Sequence, residues 1–96
     1  GIERVQVDGN NILEVYDTTR QLAARMRETR QPVLLEALTF RMRGHEEASG
    51  TKYVPKDLME TWAAKDPVAN YERYLLAEGV LTEKAIAEAR AAFKKD

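Results

Sequence analysis

The sequence predicts an α/β fold: a βαβ unit followed by a helical C-terminal extension. Three observations carry that reading. "ERVQV" near the start alternates polar and β-branched residues, a stretch of helical periodicity follows, and "VLLEALTF" then runs almost continuously apolar at strand length. Strand, helix and strand in that order form a crossover unit, which joins parallel strands and is expected to turn right-handed.

The first strand leads into the turn "DGNN". A helix is expected from about Asn11 to Arg30. Asn10 or Asn11 can accept a hydrogen bond from the first free backbone amides, and Glu14 adds negative charge near the positive end of the helix dipole. Ile12, Tyr16, Thr19, Ala23 and Met26 recur at steps of three or four, with Leu13 and Leu22 beside them, so they predict the buried stripe. Arg20, Arg27 and Glu28 take the opposite face. Pro32 ends the helical region. The apolar run after it predicts a strand covered on both faces, as in a parallel sheet. Two parallel strands alone cannot bury a face on each side, so this sheet is expected to need neighbours outside these residues. Glu36, inside the run, is expected to pair with an arginine such as Arg41 or Arg43, or to lie at a subunit contact.

Beyond residue 55 the pattern is helical throughout. Pro55 suits a first helical turn, and Leu58 with Trp62 marks a short helix. In "KDPVANYERYLLAEGVLTEK", Asp66 can cap, Pro67 takes the first position, and Val68, Tyr71 and Leu75 build a face. Gly79 supplies the left-handed residue that ends this helix, with Val80 folding back on Leu75. Thr82 caps the last helix between Leu81 and Ile86, which stand at staple spacing. Ala89 and Phe93 extend that stripe, and Lys94 and Lys95 suit the helix's negative end. The expected organisation is therefore 1–55 as the βαβ unit, ending in a loop at about 41–55, and 56–96 as the helical extension, together one domain or part of a larger one.

Composition narrows the function classes. The 96 residues suit one compact domain, and 44% apolar with 32% charged content argues against disorder. Fifteen basic residues nearly balance sixteen acidic ones for a net charge of −1, so no general field attracts nucleic acid or an anionic membrane. Arg20, Arg25, Arg27 and Arg30 form the best basic patch, but Asp17 and Glu28 interrupt it. With no cysteine and one histidine, neither disulfides nor a protein-built zinc site is expected, and no metal ligand is assigned. The longest apolar runs are only a few residues, far short of a membrane span. The expected setting is a reducing interior, such as a bacterial cytoplasm. The absence of an initiating methionine points to a piece of a longer chain.

The chemistry concentrates in "FRMRGHEEASGTKY", residues 40–53. His45 is the only side chain here whose ordinary pKa lies near neutrality, so it is the natural candidate for proton transfer. It follows a buried strand, and ligands of open α/β sheets sit just beyond the strands' carboxyl ends. Gly44 before it permits an unusual backbone angle or a close approach. A loop histidine among charged residues also has a plain reading, as a solvated side chain. Ser49 with His45 and a nearby acid lacks the elbow and oxyanion frame of a triad. Glu46 and Glu47 are adjacent and point apart in an extended segment. "VDGNN" has too few glycines for a phosphate loop. Tyr71, Tyr74 and Trp62 fall at helical spacing, which favours core packing over an aromatic binding surface.

Taken together, "RVQVDGNNILEVYDTTRQLAARMRETRQPVLLEALTFRMRGH", then "Y-x-P-K", "W-x-x-x-DP" and "YLLAEGVLTEK", resemble the C-terminal third of the alpha subunit of thiamine diphosphate-dependent 2-oxo acid dehydrogenases, of which the branched-chain and pyruvate enzymes are best known. The resemblance runs from about Glu3 to the last helix. It implies a βαβ fragment of a thiamine diphosphate-binding fold. It also implies an intact enzyme, usually a heterotetramer, that oxidatively decarboxylates a 2-oxo acid, branched-chain first and pyruvate next. Thiamine diphosphate and magnesium are the implied cofactors. A beta subunit or region and a lipoyl-bearing acyltransferase are the implied partners. His45 matches the family's loop histidine at the mouth of the cofactor site, implicated in proton transfer and in handing the acyl group to the lipoyl arm. Arg41, in the "T-aromatic-R" stretch, matches a residue at the loop's base and is a candidate support.

Departures from the family pattern bear on regulation and substrate. Mitochondrial members carry a serine, a site of inhibitory phosphorylation, where this chain has Glu46, so a kinase acting there is excluded. The segment from His45 to Tyr53 is about one residue shorter than usual, and the acid after the family's second serine is absent. The cofactor signature, GDG followed by a metal-binding asparagine, is nowhere in the sequence and is expected upstream. The chain alone is therefore expected to bind no cofactor and to be inactive. The rival reading, from another class, is an autonomous interaction domain that binds a partner through its helical half.

Overall fold

A computed structural model describes residues 1–46, 48 and 50–95. Two compact units emerge, Gly1–Asp66 and Pro67–Asp96.

The first unit is built on a strand, β1 (Glu3–Asp8), a helix of 18 residues, α1 (Ile12–Thr29), and a second strand, β2 (Val33–Leu38). The strands pair in parallel, with Val5 opposite Leu35 and Val7 opposite Ala37, so the expected α/β unit is present. Asn11 caps α1, its side-chain oxygen accepting from the Glu14 amide at 3.4 Å. Glu14 reaches back to accept from the Asp8 amide at 3.2 Å, which fixes the approach of β1 to the helix. The helix ends at Arg30, whose φ of 56° is left-handed, and whose amide donates to the Met26 carbonyl. This is a conformation that usually selects glycine.

Two expectations about burial change here. Along α1 the half-buried residues are Val15, Thr18, Leu22 and Ala23, whereas Ile12, Tyr16 and Met26 are exposed. The predicted stripe is thus partly rotated: Leu22 and Ala23 are covered as expected, Val15 and Thr18 join them, and α1 contacts both strands. The line through Ile12, Tyr16 and Thr19 borders an open groove that Arg20 and Arg27 also line, so these two arginines share that face instead of opposing it. Likewise β2 is not covered on both faces, since Leu34 is 58% exposed. An apolar run records where burial is favourable, and this chain supplies a cover for one face only. Of the two expectations for Glu36, the arginine partner gives way to Gln6 on β1, whose Nε2 donates to it at 2.9 Å.

The short helix α2 (Lys56–Ala63), expected to begin the C-terminal extension, belongs to the first unit. Pro55 stands at its N-cap. The second unit comprises α3 (Pro67–Ala77) and α4 (Glu83–Phe93). Gly79, at φ 67°, closes α3 as the sequence indicates. The Val80 amide donates to the Leu75 carbonyl and the Gly79 amide to that of Leu76, the paired bonds of a Schellman turn. Thr82 caps α4, its hydroxyl accepting from the Ala85 amide at 3.2 Å. Arg90 and Glu72 join the two helices through two hydrogen bonds of 2.9 and 2.7 Å. Among the described residues the buried apolar side chains are Val7 in the first unit and Ile86 in the second. No described helix is long and apolar enough to cross a membrane.

Candidate functional site

The loop of interest leaves the carboxyl end of β2, and its base is fixed residue by residue. At Leu38 the carbonyl accepts from the Gly9 amide at 2.7 Å. Gly9 approaches so closely that an added Cβ would stand 2.6 Å from that oxygen, so only glycine fits. At Thr39 the hydroxyl donates to Asn10 Oδ1 at 2.7 Å, while Asn10 Nδ2 donates to the Lys65 carbonyl at 2.9 Å. At Phe40 the ring stacks on Trp62, with centroids 5.6 Å apart and planes 14° from parallel. Lys65 closes the arrangement with its ammonium 4.8 Å from the centre of the Trp62 ring. The turn after β1, the end of β2 and the end of α2 therefore meet just before Arg41.

Beyond this base, Arg41 Nη1 lies 3.3 Å from His45 Nδ1. A guanidinium has donors and no acceptor, so the contact is a hydrogen bond only when Nδ1 offers its lone pair. In neutral imidazole that tautomer carries its proton on Nε2. In that tautomer the other ring nitrogen presents an N–H donor at Nε2. Gly44 lies against the Gly50 carbonyl with no room for a Cβ, and Gly50 itself has φ 60°. Of the two roles foreseen for Gly44, the close approach is the one observed. It draws residues 44 and 50 together and closes the loop on itself. An open cavity of about 570 Å3 is lined by Arg41, Arg43, His45 and Thr51, among others. Two guanidiniums and an imidazole around one cavity have the chemistry to receive an anionic group. Among the described residues no three His, Cys, Asp or Glu side chains are grouped to hold a metal ion.

The structure therefore brings together the two residues singled out from the sequence, Arg41 and His45, both on the exposed side of the loop. Glu46 is also exposed. Ser49 and Glu47, considered above as nucleophile and paired carboxylate, lie outside the described residues. Tyr71 and Tyr74 stack on each other in the second unit, with centroids 6.3 Å apart, whereas Trp62 serves the loop base. Asn10, Thr39 and Lys65 were not legible as site residues. Nothing local in the sequence marks them, since their partners are 29 and 55 positions away.

Comparison with known proteins supplies independent findings. The family model described as "Dehydrogenase E1 component" matches residues 1–96. The chain is 37% identical to the mitochondrial 2-oxoisovalerate dehydrogenase subunit alpha of Caenorhabditis elegans, over 99% of the chain and 22% of that protein. It is 32% identical to the pyruvate dehydrogenase E1 component subunit alpha of Rickettsia bellii, over 99% of the chain and 29% of the relative. It is 34% identical to the 3-methyl-2-oxobutanoate dehydrogenase subunit alpha of Mycobacterium tuberculosis, over 88% and 23% respectively. The chain thus spans between a fifth and a third of the length of these relatives. The matches support the family, but not the narrower placement in the C-terminal third that the resemblance implied. No solved structure matches the chain.

Proposed function

The chain belongs to the dehydrogenase E1 component family, and from that premise we infer that it forms part of an alpha subunit whose intact enzyme oxidatively decarboxylates a 2-oxo acid and passes the acyl group to lipoamide. The branched-chain substrate is favoured over pyruvate, following the 37% identity to the 2-oxoisovalerate enzyme subunit. Membership implies thiamine diphosphate. When bound, that cofactor supplies the carbanion stabilisation that loss of carbon dioxide requires. Magnesium, the beta subunit and the lipoyl-bearing acyltransferase complete the proposed assembly, which works in a reducing interior.

The observation that carries the site assignment is the Arg41–His45 contact at a cavity beyond the carboxyl end of β2. Arg41 orients the ring. With Nδ1 facing Arg41, His45 presents Nε2–H as a hydrogen-bond donor; the ring transfers a proton by cycling between imidazole and imidazolium, and Arg41 releases Nδ1 when the ring takes one up. Arg41 and Arg43 suit the anionic side of the cofactor through charge-assisted hydrogen bonds. The described residues gather no carboxylate set for magnesium, so the metal's ligands are assigned to other parts of the enzyme.

The test is His45→Ala in the intact enzyme. The expected result is a loss of about 100-fold in the lipoyl-dependent rate, the scale of general acid–base catalysis, with a smaller effect on decarboxylation read with an artificial electron acceptor. A wild-type lipoyl-dependent rate would remove His45 from the mechanism. One observation favours the rival interaction domain: Pro67–Asp96 is compact in itself and leaves Phe93 85% exposed. That reading expects the chain alone to unfold cooperatively as a monomer.

A further inference from the structure

The bonds at the loop base converge on one side chain. Asn10 uses both polar ends of its amide, accepting from the Thr39 hydroxyl at 2.7 Å and donating to the Lys65 carbonyl at 2.9 Å. Its backbone N–H donates to Asp8 Oδ1 at 2.9 Å, which holds the turn that presents it. The neighbouring residues fit the same geometry, with Gly9 bonded to Leu38 and Phe40 stacked on Trp62. Three consecutive positions, Leu38, Thr39 and Phe40, are thus each held from outside the strand, and Arg41 is the next residue. Asn10 is not the helix cap, because Asn11 performs that task. A polar side chain that spans two segments distant in sequence, and does not cap its own helix, calls for another explanation.

We propose that Asn10 is a positioning residue for the loop: by tying Thr39 to the Lys65 carbonyl it sets where Arg41 leaves β2, and through Arg41 the orientation of the His45 ring. This rests on the functional reading of His45 given above. Asn10 itself lies on the turn after β1 and acts through Thr39. Each of the two hydrogen bonds is individually modest. Their importance is geometric, since a reacting group displaced by about 1 Å can lose on the order of 100-fold in rate.

The experiment uses the intact enzyme assembled with its beta subunit and compares Asn10→Ala, Thr39→Val, Thr39→Ser and His45→Ala, together with Asn10→Ala in the His45→Ala background. Asn10→Ala is expected to lower the lipoyl-dependent kcat at least tenfold, with the KM for the 2-oxo acid changed less than twofold. Thr39→Val should show the same split, and Thr39→Ser, which keeps the hydroxyl, should recover most of the loss. In the His45→Ala background, Asn10→Ala should cost less than twofold more, because one residue acts through the other. A further tenfold loss in that background would show that Asn10 acts elsewhere and would overturn the proposal. If Asn10→Ala fails to assemble, Thr39→Val, which removes one hydroxyl at nearly constant shape, decides alone, and a wild-type rate there overturns the proposal. A wild-type rate in His45→Ala overturns this inference and the functional reading together. A loss in His45→Ala beside a wild-type rate in Asn10→Ala overturns only this one.

Discussion

Gly44 and Arg30 show how single positions meet backbone constraints in opposite ways. At Gly44 the Gly50 carbonyl leaves no room for a Cβ, so Gly44→Ala must push residues 44 and 50 apart. The expected consequence is a loss of about tenfold or more in the lipoyl-dependent rate without loss of assembly, because the loop moves and the sheet does not. An unchanged rate would mean that the loop closure is irrelevant to His45. At Arg30 a side chain occupies a left-handed φ of 56° that costs an L-residue about 1–2 kcal/mol. Arg30→Gly removes that strain, at an entropic cost of about 0.5–1 kcal/mol in the unfolded chain. The net expectation is a gain of up to about 1.5 kcal/mol, read as a higher urea midpoint of the subunit. A fall in the midpoint would assign the arginine side chain a contact worth more than the strain.

The helices owe their limits to short signals that act within a turn. Asn11 and Thr82 cap α1 and α4 through a side-chain oxygen, and Gly79 ends α3 with the paired bonds to Leu75 and Leu76. Thr82→Ala should destabilise the second unit by about 1 kcal/mol, the usual worth of an N-cap. Hydrogen exchange should quicken in α4 and leave α1 untouched. Faster exchange in α1 as well would tie the two units together energetically. The strands obey a less local rule. The β2 run is apolar at nearly every position, yet Leu34 and Leu38 remain exposed, and Ile12 and Tyr16 border an open groove on α1. Periodicity reports which residues favour burial, and packing selects among them according to what is present to cover them.

With Val7 and Ile86 as the buried apolar residues among those described, hydrophobic burial gives each unit little to oppose chain entropy. The isolated 96-residue chain is therefore expected to unfold at low urea with a shallow transition. Adding a purified beta subunit should raise its midpoint in proportion to the logarithm of the partner's concentration. A steep transition at high urea, insensitive to that partner, would favour the self-sufficient interaction domain instead.

The sequence by itself determined the order of the elements, the Thr82 cap and the left-handed glycine at 79, because each depends on residue type or on neighbours within a turn; it narrowed the α1 cap to Asn10 or Asn11, and it proposed His45 from its residue type and Arg41 from the family resemblance. It also determined the family, through an ordered set of motifs along the chain. The tertiary structure alone decided which edge of α1 meets the sheet, that Gln6 rather than an arginine serves Glu36, that α2 belongs to the first unit, and that Asn10 holds Thr39 and Lys65. The side-chain pairings among them span 29 to 55 positions. A side chain with several acceptable partners takes the one that folding brings within about 3 Å, and no local pattern encodes that distance.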